Sequence, residues 1–249
     1  MKALITGASS GLGKDFSIKL SNMGYDLILV SRNKEKMDNV LKDIKTNVKV
    51  YLYDLSNMEN IYKLYEETKD EDISLLINNA GFGLFGDALS SSLKEELNMI
   101  DLNVKGVQAL TKLYLKDMVR KDKGIILNVS SSASFLSGPL MSTYYATKAY
   151  VRSYSEALYE ELRRSKSNVH ISVLCPGPVN TCFNDRANVK FSLKGLESSY
   201  VVEYALKKTF KHKLIIIPGF FINIGILISR ILPRKLLLRI TYNIQKKKE

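Results

Sequence analysis

KALITGASSGLG, residues 2 to 13, decides how the rest of this chain is read. Residues 2 to 6 are an apolar run of strand length, and a helical pattern follows the glycines through about Met23. Strand, glycine-rich turn and helix, in that order, form the local context that a nucleotide's phosphates require. Gly7 permits a tight exit from the strand, Gly11 lets the backbone approach a pyrophosphate and Gly13 allows close packing of the helix. The helix N-terminus then offers free N–H groups and a positive dipole end to the anion. The spacing is G-x-x-x-G-x-G rather than the usual G-x-G-x-x-G. Glycines alone are a weak signal, and their position directly behind the first strand gives them weight.

Working outward, YDLILV (25 to 30) is a second buried-strand pattern and ends at Ser31-Arg32. A site that accepts a ribose 2′-hydroxyl carries an acid about 20 residues past the glycines. A small neutral residue and a guanidinium stand there instead, which suits a 2′-phosphate, unless Arg32 merely begins the next helix. Asn33 is positioned to cap a helix over residues 34 to 45. VKVYLYDL (48 to 55) is a third strand ending in Asp54-Leu55, where the acid either accepts from an adenine amino group or is an ordinary loop aspartate.

A helix near 57 to 69 leads to ISLLINNAG (73 to 81), a fourth strand closed by asparagines that can stitch neighbouring strands together. Helical periodicity runs from about Leu93 to Lys121 and breaks near Asp101-Leu102-Asn103; Asn103 either exposes its amide or bends the helix. GIILNVSSS (124 to 132) is a fifth strand with three serines at its end, and NVHISVLCPGPVNT (168 to 181) is a sixth. Regular alternation of strands and helices implies a parallel sheet covered on both faces. Ligands bind beyond the carboxyl ends of such strands. The segments at Gly7 to Gly13, Arg32, Asp54, Asn78 to Gly81, Ser130 to Ser132 and Pro176 to Thr181 all fall there.

Between the fifth and sixth strands a helix over about 142 to 165 begins STYYATKAY, so Tyr144 and Lys148 share a face. A phenol, with an unperturbed pKa of about 10, is a poor acid near neutrality. A neighbouring ammonium lowers that value, and such a pair can move a proton at physiological pH. Most Tyr/Lys pairs at this spacing are only a solvated face, so the pair counts only with a hydride source and an oxyanion partner.

At 249 residues, 45% hydrophobic and 25% charged, the chain fits one α/β domain, with no repeat or low-complexity linker to divide it. Cys175 and Cys182 have no Cys/His cluster around them, so neither a disulfide framework nor a metal site is expected. The N-terminus runs straight into a strand pattern without a signal peptide or anchor, which gives a cytoplasmic expectation. Of the +12 net charge, residues 211 to 249 hold nine Lys/Arg against one acid. The folded body is nearly balanced, which argues against a nucleic-acid partner.

These elements together resemble the short-chain dehydrogenase/reductase family in its single-domain group. The matching runs are TGASSGLG at Thr6, Asp54-Leu55, NNAG at Asn78, Asn103, the serine strand end, Tyr144-x-x-x-Lys148 and PGPVNT at Pro176, in order over residues 1 to 181. The resemblance implies a Rossmann-type doubly wound parallel sheet of about seven strands in the order 3-2-1-4-5-6-7, helices on both faces. It also implies interconversion of a carbonyl and a secondary alcohol by hydride transfer. Tyr144 is then the general acid/base, Lys148 lowers its pKa and holds the nicotinamide ribose, and Asn103 holds a water linking Lys148 to solvent. Ser131, thirteen residues before Tyr144, is the serine that polarises the substrate oxygen. Tyr145 falls outside the family register.

The implied cofactor contacts are Gly7, Ser9, Ser10, Gly11, Leu12, Gly13, Ser31, Arg32, Asp54, Leu55, Asn79, Ala80, Gly81, Tyr144, Lys148, Pro176, Gly177, Val179 and Thr181. Arg32 after Ser31 resembles the version that favours NADP(H) over NAD(H). A small-molecule substrate and a homodimer or homotetramer are the implied partners. The competing expectation is a nucleotide-binding or membrane-surface protein of the same fold without significant catalysis.

Residues 182 to 211 occupy the place of the family's variable substrate region, and 220 to 249 form an apolar and basic extension beyond the last strand, KLIIIPG (213 to 219). Such a tail is similar to that of the branch with steroid and long-chain ketoacyl reductases, which implies a lipophilic ketone. Leu214 to Ser229 are sixteen uncharged residues, short of the roughly 20 needed to span a bilayer. Three placements compete for the extension: packed over the pocket or a subunit interface, lying on anionic lipid, or unpacked. Packing ranks first, because an apolar tail must cover something.

Overall fold

The structure, a computed structural model, describes residues 1–181 and 195–246. Seven parallel strands form one sheet in the order β3-β2-β1-β4-β5-β6-β7. They are β1 Lys2–Thr6, β2 Asp26–Ser31, β3 Val48–Leu52, β4 Ile73–Asn78, β5 Gly124–Val129, β6 Val169–Leu174 and β7 Ile215–Ile216. The described helices are α1 Gly11–Asn22, α2 Lys34–Leu41, α3 Met58–Thr68, α4 Leu93–Ile100, α5 Val107–Arg120, α6 Ser142–Arg164, α7 Ser198–Thr209, α8 Phe220–Ile231 and α9 Arg234–Lys246.

Alternation along β1 shows how the sheet makes two cores. Leu4 packs with Ile28, Ile61, Leu64 and Tyr114 on one face. Ala3 and Ile5 face the other way, onto Phe16 and Leu20 of α1 and Val201 and Leu206 of α7. A residue period of two supplies opposite faces, and burial on both faces explains why the strands read as continuous apolar runs.

Several boundaries fall earlier than the sequence suggests, those of β5 at Val129 and β6 at Leu174 among them. The α2 helix ends at Leu41 rather than near 45, because Asp43 and Ile44 take tighter turn bonds and the Lys45 N–H goes to Ser21 Oγ at 2.7 Å. The third strand stops at Leu52, and the fourth stops at Asn78. The strand ends freed in this way, 53 to 55 and 79 to 81, become the rim of the ligand crevice.

The break near Asn103 is a π-helical turn, Asp101–Gly106, between α4 and α5. Asn103 is fully buried there. Of the two alternatives for this residue, the bend with internal hydrogen bonding is the one adopted, a common origin of such turns at sites that must aim a side chain.

Candidate active site

The glycine turn after β1 has the conformation that its residue types permit. Gly7 and Gly11 have φ of +66° and +52°, a region costly for any residue with a Cβ. A Cβ on Gly13 would drive into the Gly7 carbonyl and stand 2.6 Å from Asn79 Nδ2. Ser10 caps α1 without a side-chain hydrogen bond, and the first turn of α1 holds no acid. The helix's leading N–H groups therefore remain available to an anion. Thr181 lies over Gly11, where a Cβ would be 3.2 Å from Thr181 Cβ.

The asparagines do stitch the strands. Asn79 Nδ2 donates to the Thr6 and Gly7 carbonyls at 3.0 and 3.2 Å. Its backbone N–H and that of Ala80 share Thr6 Oγ1, each at 3.0 Å. One strand further, Asn78 Nδ2 donates to Asn128 Oδ1 at 2.9 Å and Thr111 Oγ1 at 3.0 Å.

At the end of β2, the Ser31 hydroxyl donates to Ser9 Oγ at 2.7 Å. Arg32 Nη1 lies 3.1 Å from Asp54 Oδ2, in a half-exposed pair. Asp54 Oδ1 accepts from the Ser56 N–H and hydroxyl. Burial works to raise the Asp54 pKa, but the Ser56 bonds and the Arg32 guanidinium outweigh it and hold the carboxylate below its ordinary range.

Ser131 follows β5 in extended conformation and starts a short 3₁₀ turn, Ser132–Phe135. Its Oγ accepts from the Ala133 N–H at 3.1 Å and forms a hydrogen bond with the Tyr144 side chain. Tyr144 lies in the first turn of α6, buried, with its ring face 5.9 Å from Lys148 Nζ. Lys148 Nζ donates to the Val129 carbonyl at 3.0 Å, and the Lys148 carbonyl accepts from Ser130 Oγ at 2.8 Å.

Electrostatics correct one expectation. Burial pushes the Tyr144 phenol up, with the Ser131 bond opposing, and burial pushes Lys148 down to about 8. Loss of water disfavours phenolate and ammonium alike. The ammonium meets the ring face and a carbonyl, so the lowered phenol pKa expected of the pair is absent, and Tyr144 stays protonated at neutral pH.

Asn103 has its side-chain amide engaged at both ends. Its Nδ2 donates to the Phe82 carbonyl at 2.8 Å and to Thr147 Oγ1 at 3.2 Å, and its Oδ1 accepts from the Phe82 N–H at 3.1 Å. Thr147 Oγ1 in turn donates to the Tyr144 carbonyl at 2.7 Å. The amide thus clamps the loop after β4 to the first turn of α6. Gly81 fits between it and the lysine, since a Cβ there would be 2.9 Å from Asn103 Oδ1 and 3.4 Å from Lys148 Nζ.

One cavity of about 920 Å³ collects the expected residues: all of them line it except Gly13 and Asn103, which support its walls. It also collects residues the motifs missed. Lys36, one turn beyond Arg32, stands at the 2′ end, and its i+4 spacing was a legible signal. Leu136, Met141 and Tyr145 line the opposite end with Ile222 of α8 and Ile244 of α9. Nothing local in the tail announced the last two. Gly177 admits α8, because a Cβ there would stand 2.7 Å from Ile222 Cδ1. The extension therefore packs over the pocket, the first-ranked of its three placements. Of the expected substrate region, 182 to 194 lies outside the described residues; beside it, the Leu196 N–H pairs with the Pro178 carbonyl at 2.9 Å and the Asn180 N–H with the Leu196 carbonyl at 3.0 Å.

Comparison with known proteins agrees with this arrangement. Residues 1–190 match the family model described as short chain dehydrogenase. Mouse 17-beta-hydroxysteroid dehydrogenase type 3 is 35% identical over 197 residues, 76% of this chain and 64% of that protein. The chain thus matches less than two thirds of that relative's length. A short-chain dehydrogenase from Sphingobium yanoikuyae, solved with NADPH, superposes with a TM-score of 0.82 at 27% identity over 92% of each chain. A short-chain dehydrogenase/reductase from Burkholderia phymatum, solved with NAD, gives 0.84 at 25% identity, again over 92% of each chain.

Proposed function

This chain belongs to the short-chain dehydrogenase/reductase family of NAD(P)-dependent oxidoreductases, and on that premise we propose that it reduces a lipophilic ketone to a secondary alcohol with NADPH. The observation that carries the proposal is the hydrogen bond between Ser131 and the buried Tyr144, both of which line the cavity. When bound, the nicotinamide supplies the hydride.

Proton supply is the work of this chain. Ser131 Oγ accepts from the Ala133 N–H and donates to the Pro176 carbonyl across a long 3.5 Å, a weak bond that its hydroxyl can exchange for one to the substrate oxygen. Tyr144 donates its proton to that oxygen as negative charge builds there. A phenol kept neutral by burial is in the correct state for this step. Lys148, held by the Val129 carbonyl with its Nζ 5.9 Å from the centre of the Tyr144 ring, offers the nearest positive charge to the phenolate as it forms. Asn103 acts by position, through Thr147 and the first turn of α6.

The residues fit the cofactor. The uncapped start of α1 and the turn from Gly7 to Gly13 would hold the pyrophosphate. Arg32 and Lys36 would take a 2′-phosphate, since the guanidinium has further donors beyond the Nη1 that meets Asp54. Leu136, Met141, Tyr145, Ile222 and Ile244 suit an apolar substrate, as does the likeness to a hydroxysteroid dehydrogenase.

NADPH oxidation against a panel of ketones tests the reaction. Tyr144→Phe should lose at least about a hundredfold in kcat with NADPH binding retained, and undiminished turnover would refute the role. Arg32→Ala should weaken NADPH binding about tenfold or more and leave NADH binding nearly unchanged. Equal losses would count against a 2′-phosphate contact.

A further inference from the structure

The C-terminal helices are oriented opposite to ordinary surface helices. Among the described residues α8 meets the body mainly along one stripe: Ile222 against Gly177, the buried Ile226, and Arg230 over the Phe135 ring. The opposite face carries Phe220, Phe221, Leu227 and Ile231, each at least 60% exposed. α9 follows the same pattern, although its Leu237 is half-buried. Its buried positions are the polar Thr241 and Gln245, one turn apart, while Leu236, Leu238, Ile240, Tyr242 and Ile244 are exposed. A helix covering a core in water turns its apolar stripe inward. Apolar exposure on this scale marks an interaction surface.

Charge identifies the partner. From Tyr204 to Lys246 there is no Asp or Glu, and α8 and α9 carry Arg230, Arg234, Lys235, Arg239 and Lys246. Arg234 and Lys235 sit in the first turn of α9, where the helix dipole favours acids. An anionic surface outside the protein relieves that conflict. A second copy of this chain does not, because a two-fold contact through this face would set two acid-free cationic patches against each other. Among the described residues no helix is long and apolar enough to cross a membrane, so the helices lie on it.

We propose that the outer face of α8 and α9 docks on an anionic lipid membrane, bringing the apolar end of the cavity to the layer in which a lipophilic ketone dissolves. The delivery half of this proposal rests on the substrate reading above, and the docking half does not. Ile222 and Ile244 link the two halves, because they belong to the docking helices and line the cavity.

Co-sedimentation of the full chain with vesicles of phosphatidylcholine plus phosphatidylglycerol, and of phosphatidylcholine alone, tests the docking. Wild type should bind the anionic vesicles, and binding should fall with salt. Phe221→Ser/Leu227→Ser/Ile231→Ser and Arg234→Glu/Lys235→Glu/Arg239→Glu should each bind about tenfold less or weaker still. Both should reduce a water-soluble ketone at the wild-type rate, which shows that they fold. Absence of wild-type binding, equal binding to neutral vesicles, or a dimer that the triple-serine variant dissociates would overturn docking. Tyr144→Phe should bind vesicles as wild type does, so a failure of catalysis and a failure of docking are read separately. For delivery, the two surface variants should raise KM for a vesicle-dissolved ketone while kcat holds, and an unchanged KM would overturn it.

Discussion

Helices α6 and α9 both bury polar side chains, yet they do so for different reasons. In α6 the buried Tyr144, Thr147, Lys148 and Ser155 all have partners within the fold: Ser131, Asn103, Val129 and Asn128. In α9 the buried Gln245 donates through Nε2 to the Tyr145 hydroxyl, but its Oε1 has no hydrogen-bond partner among the described residues. Buried polar groups are costly unless satisfied. The α6 set is satisfied because the site requires its geometry. The α9 set is incomplete, and the same helix leaves Leu236, Ile240 and Tyr242 exposed.

The largest effect should come from breaking the α6 network. Asn103→Leu removes the bonds that the amide makes to the Phe82 N–H, the Phe82 carbonyl and Thr147 Oγ1, and should cost about 2 to 4 kcal/mol. A lower denaturant midpoint at unchanged m-value would show it; a midpoint within error of wild type would mean the clamp is dispensable.

A smaller effect belongs to the far end of α6, where the Tyr159 ring meets His170 edge-on and His170 stacks on His212 at 4.6 Å. Burial, and then the His212 charge, lower His170 to about 4 from 6.5, against a hydrogen bond with the Lys213 backbone. A depressed folded pKa means that the unfolded chain binds more protons between these values. Its contribution is therefore full above about 6.5 and lost as pH falls toward 4. After solvent screening it amounts to about 1 kcal/mol. The fall in Tm between pH 7 and pH 4.5 should be shallower in His170→Phe than in wild type, and parallel curves would remove the assignment.

The smallest effect should be at Gln245. Gln245→Leu removes one hydrogen bond to Tyr145 and also the unpaired Oε1, and the two nearly cancel, leaving stability within about 1 kcal/mol of wild type. A larger loss in thermal unfolding would place α9 on the same footing as α6.

The contrast also explains what could be read from the residues alone. Motif order located the site because each short run sits at a strand's carboxyl end, where sheet geometry gathers the runs whatever the intervening loops. Asn33 as a cap is equally local: its side chain accepts from the Lys36 N–H at 2.7 Å. Arg32 was legible as a cation at the end of β2, but its pairing with Asp54 was not, because the two meet only when β3 lies beside β2. The Tyr144 pKa was misjudged for a related reason. Spacing reports which residues share a helical face, whereas a pKa depends on how much water remains around them.

By itself the sequence determined the class of sheet and the cradle from Gly7 to Gly13, since these depend on residue type and short spacing, while the choice of Tyr144 over Tyr145 is what the family resemblance implies. Only the tertiary structure decided that Asn103 is a clamp, that Lys148 meets a carbonyl and a ring face, and that Tyr145, Ile222 and Ile244 wall one chamber. Those outcomes depend on contacts between segments as far apart as Tyr145 and Gln245. Desolvation and packing act on whatever the folded chain brings together, and no local pattern along the chain records it.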